Sequence, residues 1–147
     1  MQVVFVDGDA CPVKAEVYRV ALRHDLKVYV VASGPLGRTA PGRVEFIRVK
    51  QGFDAADDWI AARAGDGDIV VTADIPLAAA VVERGGQALN PRGELYTRDN
   101  VQEHLAVRNL MDALRGSGVQ TDGPAAFSHG DRQAFANQLD RLLSARG

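Results

Sequence analysis

The 147-residue chain predicts an α/β fold, a three-layer α/β/α sandwich around a mainly parallel five-stranded sheet with a C-terminal helical appendage. Two observations lead there. Short β-branched runs alternate along the chain with stretches of helical periodicity, the pattern of a sheet buried on both faces by crossover helices. Carboxylates also follow the first and fourth runs directly, where an open parallel sheet presents its ligand crevice.

The runs are "VVFV" at 3–6, "KVYVVA" at 27–32, "VEFIRV" at 44–49, "DIVVTA" at 68–73 and a weaker "GQAL" at 86–89. Between the first two, Val13, Val17, Val20 and Ala21 recur at helical spacing. Ala55, Trp59, Ile60 and Ala62 do so more loosely, and Ala78, Val81 and Val82 follow the fourth run. Pro12 and Pro76 are each expected in a first helical turn, where the missing N–H costs nothing. The stretch "SGPLGRTAPGR" at 33–43 reads as a Gly/Pro-rich loop, either a lid or a plain connection. After "NPRGELYTRDN", residues 101–115 read as a helix, with Thr97 as the expected cap. Residues 116–130 form a linker-like stretch before a last helix at 131–145. Its Phe135, Leu139, Leu142 and Leu143 make an apolar stripe that requires docking on the domain.

Composition bounds the function. The length suits one domain able to bury roughly 68–70% of its unfolded surface. Hydrophobic residues at 46% and charged residues at 24% exclude a disordered or fibrous chain. A net charge of −2 supplies no general basic field, so nucleic-acid binding would have to be local or helped by metal ions. A single cysteine, Cys11, forms no internal disulfide, and neither a signal peptide nor a membrane-spanning run is apparent. The expected location is the cytoplasm, with no membrane partner.

The chemistry gathers at acids. If the strand order is 3-2-1-4-5, strands one and four are neighbours, and Asp7, Asp9 and Asp74 converge on one crevice. Asp54, Asp57 and Asp58 stand at i, i+3 and i+4, on one side of a helix that could point its first turn at the same place. Crowded carboxylates raise one another's pKa unless a cation neutralises them, and oxygen ligands suit Mg²⁺ or Mn²⁺. Such an ion would lower the pKa of a bound water and screen a substrate phosphate. The structural alternative makes Asp7 and Asp9 caps of the helix near Pro12, Asp74 the cap of the helix from Ile75, and Asp54 the cap of its own helix.

Around this cluster, Lys14, Arg92 and Arg98 are the basic residues nearest the expected crevice. Lys14 and Arg92 are candidates to hold a substrate phosphate, and Arg92 has an ion pair with Glu94 as its structural alternative. Arg38 and Arg43 could touch a nucleic-acid backbone. Cys11 lacks the arginine at position 17 that a Cys-x5-Arg phosphate loop needs, and reads as a small packed residue. His24, His104 and His129 have no metal-ligand spacing and read as surface residues. Trp59 and Phe53 read as core rather than base-stacking platforms. "DGDA" with Thr72 is similar to the Asp-x-Asp of HAD-type phosphatases, without that scheme's lysine and paired acids.

At "VDGDACPVK", "GFDAADDWI", "GDIVVTADIPLA", "NPRGELYT", "RNLMDALR" and "GPAAFSHGDRQAF" the sequence resembles the bacterial YaiI/YqxD family of uncharacterised proteins, related to PIN-like nuclease domains. The resemblance implies a single PIN-like domain over 1–147 with an acidic Mg²⁺- or Mn²⁺-dependent ribonuclease site. Asp7, Asp57 and Asp74 match the PIN metal acids, and Asp9 and Asp54 are further carboxylates of this family's pattern. Gly8 departs from the usual Asp-Ala-Asp and implies a looser loop. A metal-dependent nuclease acting on RNA or another nucleic acid is therefore the leading expectation. The competing one is a non-catalytic module binding a nucleotide, RNA or a protein.

Overall fold

The computed structural model describes residues 2–34, 42–50, 55–118 and 126–145. The strands are β1 (Val3–Asp7), β2 (Lys27–Ala32), β3 (Arg43–Arg48), β4 (Ile69–Val71), β5 (Gln87–Leu89) and β6 (Leu95–Tyr96). The helices are α1 (Lys14–Arg23), α2 (Ala55–Arg63), α3 (Ile75–Glu83), α4 (Arg98–Gly116) and α5 (His129–Ser144). One sheet orders the strands β3-β2-β1-β4-β5-β6, parallel except for β6, which pairs antiparallel with β5. The first five strands thus follow the expected order, and β6 is an addition of two residues.

Alternation along β1 sorts its side chains between two layers, because successive residues of a strand face opposite ways. Val4 and Val6 join Val17, Val20, Phe135, Leu139 and Leu143, so α1 and α5 cover one face. Phe5 joins Ala56, Ile60, Leu77 and Val81, so α2 and α3 cover the other. Asp7 has the parity of Phe5 and therefore belongs to the α2/α3 side. Burial on both faces explains why the central strands read as unbroken Val and Ile runs. A smaller cluster of Ala78, Val82, Ala88, Tyr96 and Val101 seats the first turn of α4 against α3 and the sheet edge.

The last helix docks as its stripe requires. Phe135 and Leu139 are fully buried and Leu143 nearly so, and each such side chain is worth roughly 1.5–3 kcal/mol of transfer free energy. Ser128 begins α5 with a capping box shared with Asp131, and Thr97 begins α4 with one shared with Asn100. α4 starts three residues before the expected helix because that cap lies at Thr97. Trp59 packs edge-on to Phe5 at 6.2 Å between ring centroids, in keeping with the core reading. Pro12 precedes α1 rather than entering it, since the helix begins at Lys14 after an uncapped Val13.

Gly8 corrects the looser-loop expectation. It is buried, and a β-carbon there would lie 2.9 Å from Val30 Cγ1 and 3.2 Å from the Val31 carbonyl. The glycine is needed for close approach to β2, which holds the turn tightly. Asp54, Phe53, Arg38 and most of the 33–43 loop lie outside the described residues.

Candidate functional site

The sheet register builds the site. Val6 of β1 is paired with Val71 of β4, so the next residues, Asp7 and Thr72, leave the sheet side by side. Thr72 is 1% exposed. Its hydroxyl donates to Asp7 Oδ2 at 3.0 Å and accepts the backbone N–H of Asp74 at 3.0 Å. One buried hydroxyl therefore fixes the Asp7 carboxylate and the start of the turn into α3.

Asp74 is the N-cap of α3, with Oδ1 accepting the Leu77 N–H at 2.8 Å. Capping consumes one lone pair of a group that has several, and Asp74 also lines two adjoining clefts. The smaller, about 220 Å³, is bounded by Asp7, Cys11, Thr72, Asp74 and Pro91. The larger, about 340 Å³, is bounded by Asp57, Asp58, Asp74, Pro76, Leu77 and Arg108.

Asp7 is the strained carboxylate of the set. Burial raises its pKa, as do the negative charges of Asp74 and Asp9, while hydrogen bonds with Thr72 and with the Asp57 side chain pull the other way. The contact with Asp57 brings the first turn of α2 to the end of β1; of Asp7, Asp9 and Asp74, expected together in one crevice, Asp7 and Asp74 line one cleft while Asp9 turns to Ser33 and Gly34. Asp7 is not a cap: it precedes the turn at Gly8–Ala10 without any side-chain cap bond. The capping reading fails for Asp7 because its carboxylate turns to Thr72, and it holds for Asp74.

Asp9 faces a different task. Its carboxylate accepts the N–H and hydroxyl of Ser33 at 3.1 Å and the N–H of Gly34 at 3.0 Å. Slight burial opposes ionisation, but these hydrogen bonds and the nearby Lys14 charge prevail and hold the pKa below the ordinary aspartate range. Asp9 therefore latches the chain leaving β2, and α1 is not capped by it.

The basic residues are placed less as expected. Lys14, half-buried at the first residue of α1, acts on Asp9 and on Cys11. Arg92 pairs with Asp131 of α5 at 2.9 Å and lies over the Phe127 ring, so its ion pair is not with Glu94. The cause is Gly93, at φ 88, whose missing β-carbon lets the Asn90–Glu94 turn rest on the backbone of Ala134; a β-carbon would come within 2.8 Å. Arg98 donates to the Glu83 carbonyl at 3.3 Å in the α3–α4 groove, away from Asp7. Arg43 opens β3 and donates to the Asp25 carbonyl, at the end of the parallel strands opposite the acids. Arg108 of α4 is the cation that sequence reading missed, although "RNLMDALR" contains it; it lines the cleft with Asp57 and Asp74.

Cys11 lines the smaller cleft, and burial pushes its thiol upward in pKa against the opposing Val13 backbone and Lys14. A thiol held protonated is a poor nucleophile, which agrees with the packed reading. His24 pairs with Asp140 at 2.7 Å and His104 with Glu94 at 3.5 Å, each half-buried, so both have structural partners. The carboxylates are hard oxygen donors of the kind Mg²⁺ or Mn²⁺ takes. As placed, no group of three His, Cys, Asp or Glu among the described residues forms a ready ligand shell. No helix of the described residues is long and apolar enough to cross a membrane.

Comparison with known proteins adds kinship. A family model described as an uncharacterized YaiI/YqxD family matches residues 5–145. A UPF0178 protein of Janthinobacterium sp. (strain Marseille) is 56% identical over 144 residues, covering 96% of this chain and 95% of that protein. Others from Dechloromonas aromatica (strain RCB) and Shewanella piezotolerans (strain WP3 / JCM 13877) are 54% and 53% identical, each over 96% of this chain and 95% and 94% of their own lengths. No solved structure matches. A match over nearly the whole length, through both acidic strand ends and the docked final helix, means that the chain belongs to the YaiI/YqxD family.

Proposed function

We propose that the chain is a metal-dependent phosphodiesterase acting on RNA or another nucleic acid, with Asp7, Asp57 and Asp74 as the carboxylates that would hold Mg²⁺ or Mn²⁺. The observation that supports this most is the grouping of the three carboxylates: Asp7, fixed by Thr72, lines a cleft with Asp74, and Asp74 lines the adjoining cleft with Asp57, an arrangement in which burial and the charge of Asp74 raise the pKa of Asp7. Carboxylates kept together at such cost fit a cation that relieves them. The ion would supply Lewis acidity toward a phosphoryl oxygen. Thr72 fixes the orientation of Asp7, and the cap bond fixes that of Asp74, so neither has to be ordered when substrate arrives. Arg108, which lines the larger cleft with Asp57 and Asp74 and pairs at the surface with Asp112, would meet a phosphate there by charge. Lys14 and Asp9 tune the rim. Arg92, turned to Asp131, is a weaker candidate for the phosphate role.

Cleavage of labelled single-stranded RNA and DNA in Mn²⁺ or Mg²⁺ tests this, with Asp7→Asn and Asp74→Asn purified identically. Turnover by the parent and by neither variant supports the reading. Equal turnover by all three points to a contaminant, and silence in all three refutes catalysis on these substrates.

One observation favours a second reading, a non-catalytic module that binds a nucleotide, RNA or a protein in the same clefts. Asp74 and Asp9 each have structural work, as cap and as latch, which an inert fold would also need. Binding without turnover under any divalent ion is its signature.

A further inference from the structure

Three clefts adjoin along α3. The smallest holds Asp7 and Asp74, the next holds Asp57, Asp74 and Arg108, and the third, about 690 Å³, lies between α3 and α4. Asp74 is common to the first two, and Pro76 and Ala80 are common to the second and third. One path therefore runs from the acids to the far end of α3, where Glu83 and Arg98 line the groove. Val101 packs with Ala78 and Val82 at the base of α4, and Gln102 and Leu105 form the wall above it.

The chemistry of the path says what fits it. A net charge of −2 denies the surface a general pull on phosphates, so any attraction has to be local. α4 puts an arginine near each end of its wall, Arg98 at its first residue and Arg108 ten residues on. That is about 15 Å of helix axis, the length of roughly four stacked nucleotides at 3.4 Å each. Arg98 is exposed and donates to the Glu83 carbonyl, a neutral acceptor that leaves its charge in place. Arg108 pairs with Asp112 at 3.5 Å, but Arg115 holds the same carboxylate at 2.6 Å, so two guanidiniums share one acid. The Glu83 carboxylate offsets part of the Arg98 charge and offers an acceptor to base amino groups. Between the arginines, Ala79, Val82 and Leu105 present apolar surface to the faces of unpaired bases, which a duplex keeps stacked within itself.

We propose that a single-stranded nucleic acid bound at the acid clefts continues along the α3–α4 groove, with Arg108 and Arg98 on its phosphates and Leu105 under its bases. This path rests on the phosphodiesterase reading of the acid clefts, and binding measured apart from cleavage separates the two. Fluorescence anisotropy of labelled oligonucleotides with the full chain in Ca²⁺ tests it. The parent is expected to bind a single-stranded dodecanucleotide several-fold more tightly than a trinucleotide or a duplex of the same sequence. Arg98→Ala should weaken dodecanucleotide binding and reduce its salt dependence by about one phosphate contact. Ala80→Trp, at the junction of the two larger clefts, and Gln102→Glu, on the exposed wall, should each remove the length preference with an unchanged far-ultraviolet circular dichroism spectrum. Parent-like binding by Arg98→Ala and Gln102→Glu, a parent indifferent to strand length, or equal affinity for the duplex would overturn the path, even where the parent cleaves. Length-dependent binding that these variants lose, without turnover under any divalent ion, would sustain the path and refute the phosphodiesterase reading alone.

Discussion

Thr72 Oγ1 donates to Asp7 Oδ2 at 3.0 Å from a position only 1% exposed. The bond joins the end of β1 to the end of β4 and supports the charged form of a carboxylate that burial disfavours. Thr72→Val should remove the donor, leave the Asp74 N–H without its acceptor, and cost about 1–3 kcal/mol in chemical denaturation. Thr72→Ser should recover most of it, and the pKa of Asp7 read by NMR should rise further in the valine variant only.

Without metal, Asp7→Asn should stabilise the protein at neutral pH. The folded pKa of Asp7 is raised, by burial first and by Asp74 and Asp9 after it. The native state therefore holds this proton more tightly than the unfolded chain. Its contribution to stability is complete below the ordinary aspartate range and is lost as pH rises through the higher folded value. Melting curves across that interval should show the parent losing stability relative to Asp7→Asn. Parallel curves would remove Asp7 as the strained carboxylate.

Asp74 can be separated into cap and charge. Asparagine caps helices about as well as aspartate, whereas alanine does not. Asp74→Ala should cost about 0.5–2 kcal/mol by denaturant unfolding, and Asp74→Asn should fold nearly as stably as the parent. Loss of nucleic-acid cleavage in both variants would then report the charge, not the helix.

Gly8→Ala should destabilise by about 1–3 kcal/mol, the usual penalty of forcing a methyl into a filled core. The new β-carbon would meet Val30 Cγ1 at 2.9 Å. Thermal unfolding measures the loss, and Gly8→Ala with Val30→Ala should recover part of it if Val30 is the obstacle.

These residues also show how far the sequence could be read. Asp7 and Asp74 were legible because each directly follows an apolar run, and strand order then makes them neighbours. Asp57 was legible from its place in a first helical turn. The contact of Arg92 with Asp131 joins residues 39 apart, and Arg108 enters the cleft from α4, three elements beyond α3; no local spacing records either. β6 has two residues, too few for alternation to register. Gly8 misled because a glycine read alone signals freedom, while here the crowding comes from the neighbouring strand.

The central claim, that Asp7, Asp57 and Asp74 form one divalent-cation site, is tested most directly by titrating Mn²⁺ into the metal-free protein and counting bound ions by electron paramagnetic resonance. Saturable binding by the parent, abolished in Asp7→Asn and weakened in Asp57→Asn, is the expected result. Absence of binding by the parent, or equal binding by all three proteins, would contradict the account.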